Sequence, residues 1–218
     1  MICGAIFDID GTLLDSMPIW REAGLRYLQE LQIEGAPDLG ETMFAMTMQE
    51  GAQYLKDTYH LSLHTDAIIA GIHRTIVDFY RQEASLKPYV KPFLSQMAAH
   101  GIPLCIATSS DRPLVEAALK RLGILSYFAK IFTCTEFGKG KDQPGIFQHA
   151  AAYMNTSPSC TWVFEDALHA AKTAKQAGFQ VAGVYDDFSK KHQPALQSLA
   201  DYYFFDFQNF TAFYETVK

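Results

Sequence analysis

No stretch of this 218-residue chain approaches the roughly 18 consecutive apolar residues of a membrane-spanning helix. Met1-Ile2-Cys3-Gly4 enters an apolar run at once, without a basic leader. Neither membrane insertion nor a cleaved export signal is expected, and the cytoplasm is the expected compartment. Positive charge is also short: 18 Lys and Arg against 24 Asp and Glu leave a formal net charge of −6. That field repels nucleic-acid backbones and anionic membranes, so neither is an expected partner. An anionic substrate has to be drawn in by local groups. Low-complexity sequence is absent, and 49% hydrophobic with 19% charged residues is the composition of an ordinary globular protein. Cysteine is sparse: Cys3, Cys105, Cys134 and Cys160 have no C-x-x-C pairing. The expectation is reduced thiols packed as small hydrophobes.

What is present is a recurrence of short β-type runs at residues 2–7, 103–107, 130–134, 161–164, 181–184 and 202–205. Amphipathic helical stretches separate most of them, for example Pro113 to Leu122 and Ala167 to Ala177, the latter stopped by Gly178. The alternation predicts an α/β fold, a doubly wound parallel sheet with helices on both faces. One interval breaks the rhythm. Between the first and second strands lie residues 16 to about 90, far more than the dozen or so a crossover needs. The expected organisation is a core of residues 1–15 and 88–218 with an inserted helical domain over 16–87. Within the insert Ile19 to Leu31 is amphipathic, Thr47-Met48-Gln49-Glu50 reads as a capping box, and Asp66 to Gln82 reads as a further helix. The return, Lys87-Pro88-Tyr89-Val90-Lys91-Pro92, is punctuated by proline.

The chemistry-bearing residues fall at strand carboxyl ends, where open α/β sheets bind ligands. The first strand runs into Phe7-Asp8-Ile9-Asp10-Gly11-Thr12. Two acids so close repel each other, which favours a divalent cation and a phosphate beside them. Alone, such a pair before glycine reads more simply as a solvated turn. Three further groups outweigh that reading. Thr108-Ser109-Ser110 follows the second strand and precedes a helix, offering hydroxyls and free amides to phosphoryl oxygens. Lys139-Gly140-Lys141 follows the third strand, with a helix beginning near Pro144. Glu165-Asp166 follows the fourth, adding hard oxygen donors suited to Mg2+.

In this order the DxDGT, Thr-Ser, Lys and Glu-Asp series resembles the haloacid dehalogenase superfamily, over nearly the whole chain. It is closest to the branch with a small helical cap, which includes phosphoglycolate phosphatase-like and β-phosphoglucomutase-like proteins. The resemblance implies Asp8 as nucleophile, and Asp10 as the acid that protonates the leaving oxygen and then the base that activates water. It implies Mg2+ held by Asp8, the backbone carbonyl of Asp10, Asp166 and Glu165, with Thr108, Ser109 and Lys141 gripping the phosphoryl group. The chain departs from the pattern at Lys141-Asp142-Gln143-Pro144-Gly145, where Gly145 replaces a carboxylate that often braces the lysine.

The implied function is a Mg2+-dependent phosphatase acting on a small phosphomonoester through an aspartyl-phosphate, with the cap closing over the substrate through its two linkers. Asp10 argues against the dehalogenase and phosphonatase branches. A β-phosphoglucomutase-like mutase is the alternative; that branch keeps a His on the first cap helix, where Trp20 stands here, and an Arg near Phe44 to Gln49. A silent regulatory phosphate-binding protein is a second alternative, although every implied catalytic position is present. A phosphorylated receiver domain would lack the insert. A monomer is the default expectation.

Overall fold

The computed structural model describes residues 1–44 and 46–218; Ala45, within the Phe44 to Gln49 stretch compared above, lies outside the described residues. The chain divides into two compact units, Met1–Asp15 with Ser85–Lys218, and Ser16–Ala84. A short antiparallel ribbon, β2 (Leu14–Asp15) with β3 (Ser85–Leu86), pairs the outgoing and returning connections and draws residues 85–87 into the first unit. Sequence reading put that boundary after residue 87, because a two-residue strand has no periodicity to detect.

The first unit is built on a six-stranded sheet in the order β5-β4-β1-β6-β7-β8, with every pairing parallel. Its strands are β1 (Gly4–Phe7), β4 (Leu104–Thr108), β5 (Lys130–Thr133), β6 (Thr161–Glu165), β7 (Gln180–Val184) and β8 (Tyr202–Phe204). This is the predicted fold class. β1, β4 and β6 are buried at every residue, as central strands covered on both faces must be. The helices of this unit are α5 (Val90–Ala99), α6 (Arg112–Arg121), α7 (Cys134–Phe137), α8 (Gly145–Tyr153), α9 (Leu168–Gln176), α10 (Gln193–Leu199) and α11 (Phe210–Val217).

Alternation along the strands sorts the core into two layers. Ile6, Cys105, Ala107, Val163 and Val181 pack under α8, α9 and α10, through Phe147, Ala150, Ala171 and Leu196. The alternate residues Phe7 and Phe164 point to the other face, stacked at 4.1 Å between centroids, and Phe164 meets Phe93 of α5 and Phe213 of α11. Each such buried aromatic contributes about 1.5–3 kcal/mol of transfer free energy. The two apolar layers clamp the sheet, so its carboxyl edge is a fixed platform.

The second unit is helical: α1 (Ile19–Glu30), α2 (Leu39–Phe44), α3 (Met48–Thr58) and α4 (Thr65–Gln82). The capping box is present. Thr47 accepts the Glu50 amide and Glu50 accepts the Thr47 amide, which satisfies two otherwise orphaned donors at the start of α3. α1 and α4 are tied by Arg74 to Glu30 at 2.8 Å and Thr75 to Glu30 at 3.2 Å.

One expectation is corrected. Cys3 and Cys160, read as separate reduced thiols, form a disulfide with Cα atoms 5.3 Å apart. The reason is register. Gly4 pairs with Thr161, so the residues just before β1 and β6 face each other across the sheet, an adjacency that sequence spacing hides. Cys105 and Cys134 are free, and burial pushes the Cys105 thiol up to about 11.

Candidate active site

The residues after β1 continue the sheet by one bond, the Asp8 amide donating to Phe164 O at 3.0 Å, before turning away. That bond sets Asp8 beside the end of β6, which carries Glu165 and then Asp166. Lys141 reaches the same point from the loop before α8. Its ammonium donates to Asp8 and, at 3.0 Å, to Glu165 Oε2. All four residues are buried, none more than 6% exposed. Carboxylate oxygens of Asp8, Glu165 and Asp166 lie within 4.8 Å of one another.

Three buried carboxylates thus converge at a point where one ammonium is paired with two of them, Asp8 and Glu165. Burial, the dominant effect, raises Asp8 above the usual carboxylate range, and the Asp10 charge adds to it while Lys141 opposes it. Glu165 is pushed well above that range by burial and by the Asp8 charge. Asp166 is raised to about 8 by burial, then by Asp8 and Asp186. Lys141 moves upward because the attraction of Asp8 and Glu165 exceeds its own burial penalty. Excess negative charge on hard oxygens at one point is what a divalent cation complements, so these residues fit a metal.

Asp10 is oriented by a different partner. Its Oδ2 accepts from Ser110 Oγ at 2.5 Å, which holds the side chain toward the loop after β4. Thr108 is fully buried, and its hydroxyl accepts the Ser110 amide at 3.0 Å. Ser109 is exposed, with Oγ 3.6 Å from Cys134 Sγ. The structure therefore brings together Asp8, Glu165, Asp166 and Lys141, and links Asp10 to the Thr108–Ser110 loop through Ser110.

Several participants escaped sequence reading. In sequence Ser110 stands out only as part of the hydroxyl run Thr108-Ser109-Ser110. Thr12 donates to Asp166 Oδ1 at 3.2 Å. Lys87 donates to Gly11 O at 2.9 Å and to Asp186 Oδ2 at 2.8 Å. Asp186 could have been found, since Asp186-Asp187 lies just past the end of β7 as the pair Glu165-Asp166 lies at the end of β6. Lys87 carried no signal beyond its place before Pro88.

Two glycines shape the site. Gly11 has φ +85°, and a Cβ there would lie 2.7 Å from Asp166 Oδ2, so the turn passes directly against the acid. Gly145 stands where a bracing carboxylate is common. A Cβ at that position would lie 2.6 Å from Phe137 Cζ, so the ring fills the space a side chain would need.

A family model described as haloacid dehalogenase-like hydrolase matches residues 3–178. The chain belongs to this family. Among curated relatives of this haloacid dehalogenase-like hydrolase, the phosphorylated carbohydrates phosphatase of Thermotoga maritima is 25% identical over 175 residues, 80% of this chain and 81% of the relative. The phosphoglycolate phosphatase of Yersinia pseudotuberculosis is 32% identical over 139 residues, 60% of this chain and 58% of the relative. The crystal structure of a candidate β-phosphoglucomutase from Thermotoga maritima superposes with TM-score 0.85 over 100% of both chains at 23% identity, a likeness of fold. Among the described residues no helix is long and apolar enough to cross a membrane.

Proposed function

We propose that this haloacid dehalogenase-like hydrolase is a Mg2+-dependent phosphatase of small phosphomonoesters that works through an aspartyl-phosphate on Asp8. The observation that carries the reading is the division of labour between the two acids of the first loop. Asp8 is buried against Lys141 and two further carboxylates, whereas the Asp10 carboxylate accepts from Ser110 in the loop after β4. One carboxylate is thus set for attack and the other for proton transfer.

In the first step an Asp8 oxygen attacks phosphorus, and the ester oxygen leaves with the proton held by Asp10. In the second step Asp10, now a carboxylate, takes a proton from water as that water attacks phosphorus. Inorganic phosphate departs and Asp8 is regenerated. Lys141 orients Asp8 and neutralises charge near the transferring group, and Thr108 and Ser109 supply donors to its oxygens. Bound by Asp8, Glu165, Asp166 and the Asp10 carbonyl, Mg2+ would neutralise the converging negative charge. The names of the two curated relatives make phosphorylated carbohydrates and small phosphorylated acids the first substrates to try.

The test is phosphate release from a panel of phosphorylated metabolites and a chromogenic phosphomonoester, with and without Mg2+, for the wild type and Asp8→Asn. Mg2+-dependent release that vanishes in Asp8→Asn is expected. Release that survives the substitution would remove Asp8 as nucleophile.

A further inference from the structure

Lys87 lies outside the motif series, yet it grips the loop that carries both acids. Its backbone amide donates to Leu13 O at 2.9 Å, and its ammonium donates to Gly11 O at 2.9 Å. One residue therefore fastens the Asp10–Leu14 turn at two points. The ammonium also donates to Tyr185 O at 2.5 Å and to Asp186 Oδ2 at 2.8 Å, so its three protons have three acceptors. Lys87 and Asp186 side chains are 11% and 6% exposed. The other Asp186 oxygen accepts the Phe188 amide at 2.9 Å, which anchors the carboxylate to the loop after β7.

The arrangement is a brace between two strand ends. β1 and β7 are not neighbours, since β6 lies between them. Lys87 spans that interval above the sheet, from the Gly11 carbonyl to the Tyr185–Asp186 corner. Gly11 is the peptide directly after Asp10, and its backbone is pressed against Asp166. A shift of the Gly11 carbonyl would therefore move Asp10 and disturb the packing against Asp166 together.

We propose that Lys87 is a positioning residue for the reaction, holding the Asp10–Leu14 turn in register with β6 and β7 through Gly11 and Asp186. The inference rests on the phosphatase reading for its kinetic consequence. Its structural consequence stands separately. A group acting through geometry alone affects the chemical step, because the acid is misaligned while the surface that binds substrate is unchanged.

The experiment uses the full chain as wild type, Lys87→Met and Asp186→Asn. Steady-state kinetics are measured on a chromogenic phosphomonoester with Mg2+, and backbone amide exchange is followed over residues 9–14 without metal. For Lys87→Met the expected outcome is a kcat loss on the order of 100-fold, KM within about threefold, and exchange of the turn faster by on the order of tenfold. Asp186→Asn keeps volume and is expected to move both readouts in the same direction by less, so a Lys87→Met chain that fails to fold leaves Asp186→Asn to decide. Unchanged kcat with unchanged exchange overturns the proposal. So does a raised KM with kcat intact, which would make Lys87 a substrate contact. If the wild type releases no phosphate, the phosphatase reading fails by itself. Exchange of the turn then decides for or against the brace.

Discussion

Replacing Lys141 with methionine keeps the length and most of the volume of the side chain and removes its charge together with the hydrogen bonds it donates to Asp8 and Glu165. Two buried carboxylates, Asp8 and Glu165, lose their common ammonium. Because the three side chains are 4%, 8% and 2% exposed, water cannot take its place. Removing one partner of such a group costs about 3–5 kcal/mol. For a chain of this size that is a fall in Tm of about 6–20 °C. The deficit depends on pH in a definite direction. Asp8 and Glu165 already hold their protons more tightly when folded than when unfolded. Without the ammonium both rise further, so the folded variant gains by protonation as pH falls. The assay is thermal unfolding of metal-free wild type, Lys141→Met and Lys139→Met at pH 5 and pH 8. Lys141→Met should melt far below wild type at pH 8 and closer to it at pH 5, whereas exposed Lys139 should be silent. A Lys141→Met protein melting within a degree or two of wild type at pH 8 would refute the account of the site as charges sharing one cation.

Gly11→Ala should combine left-handed strain of about 1–2 kcal/mol with collision at the Asp166 carboxylate. The expected result is a lower denaturation midpoint and a loss of turnover larger than the stability loss alone explains; wild-type kcat would count against the close approach. Asp166→Asn should change the pH dependence of stability. The Asp166 proton is held up to about 8 in the folded chain and released near 4 when unfolded, so metal-free wild type loses stability as pH rises between those values. The Asn variant lacks that decline, and denaturant melts at several pH values across the interval measure it. Parallel slopes for the two proteins would show that Asp166 is not raised.

The parallel sheet was legible because buried strands read as short apolar runs and their spacing fits a crossover helix. The acids at the ends of β1 and β6 were legible for the same reason, since any strand end in such a sheet is a candidate site. What sequence could not give was adjacency across strands. Cys3 and Cys160 are brought together by the β1–β6 register, and Ser110 reaches Asp10 because β4 is the other neighbour of β1. Lys87 was hidden for a different reason. It stands in a connection with no periodicity, and its three acceptors are mostly backbone carbonyls, which carry no residue identity. Gly145 shows the converse: a departure from the family pattern became intelligible once Phe137 was seen in the space of the missing side chain.

The central place of β1 also governs when the molecule can assemble during synthesis. Gly4–Phe7 leaves the ribosome well before its partners, Leu104–Thr108 and Thr161–Glu165. At about 5–20 residues per second, an apolar segment waits roughly 10 to 30 s for the second of them. Until then Asp8 has neither Lys141 nor Asp166 beside it, whereas the helices of Ser16–Ala84 form a compact unit from contacts among themselves. Nascent chains of this protein should therefore depend on protection of their first strand, and translation slowed before residue 166 should lower soluble yield more than slowing after it.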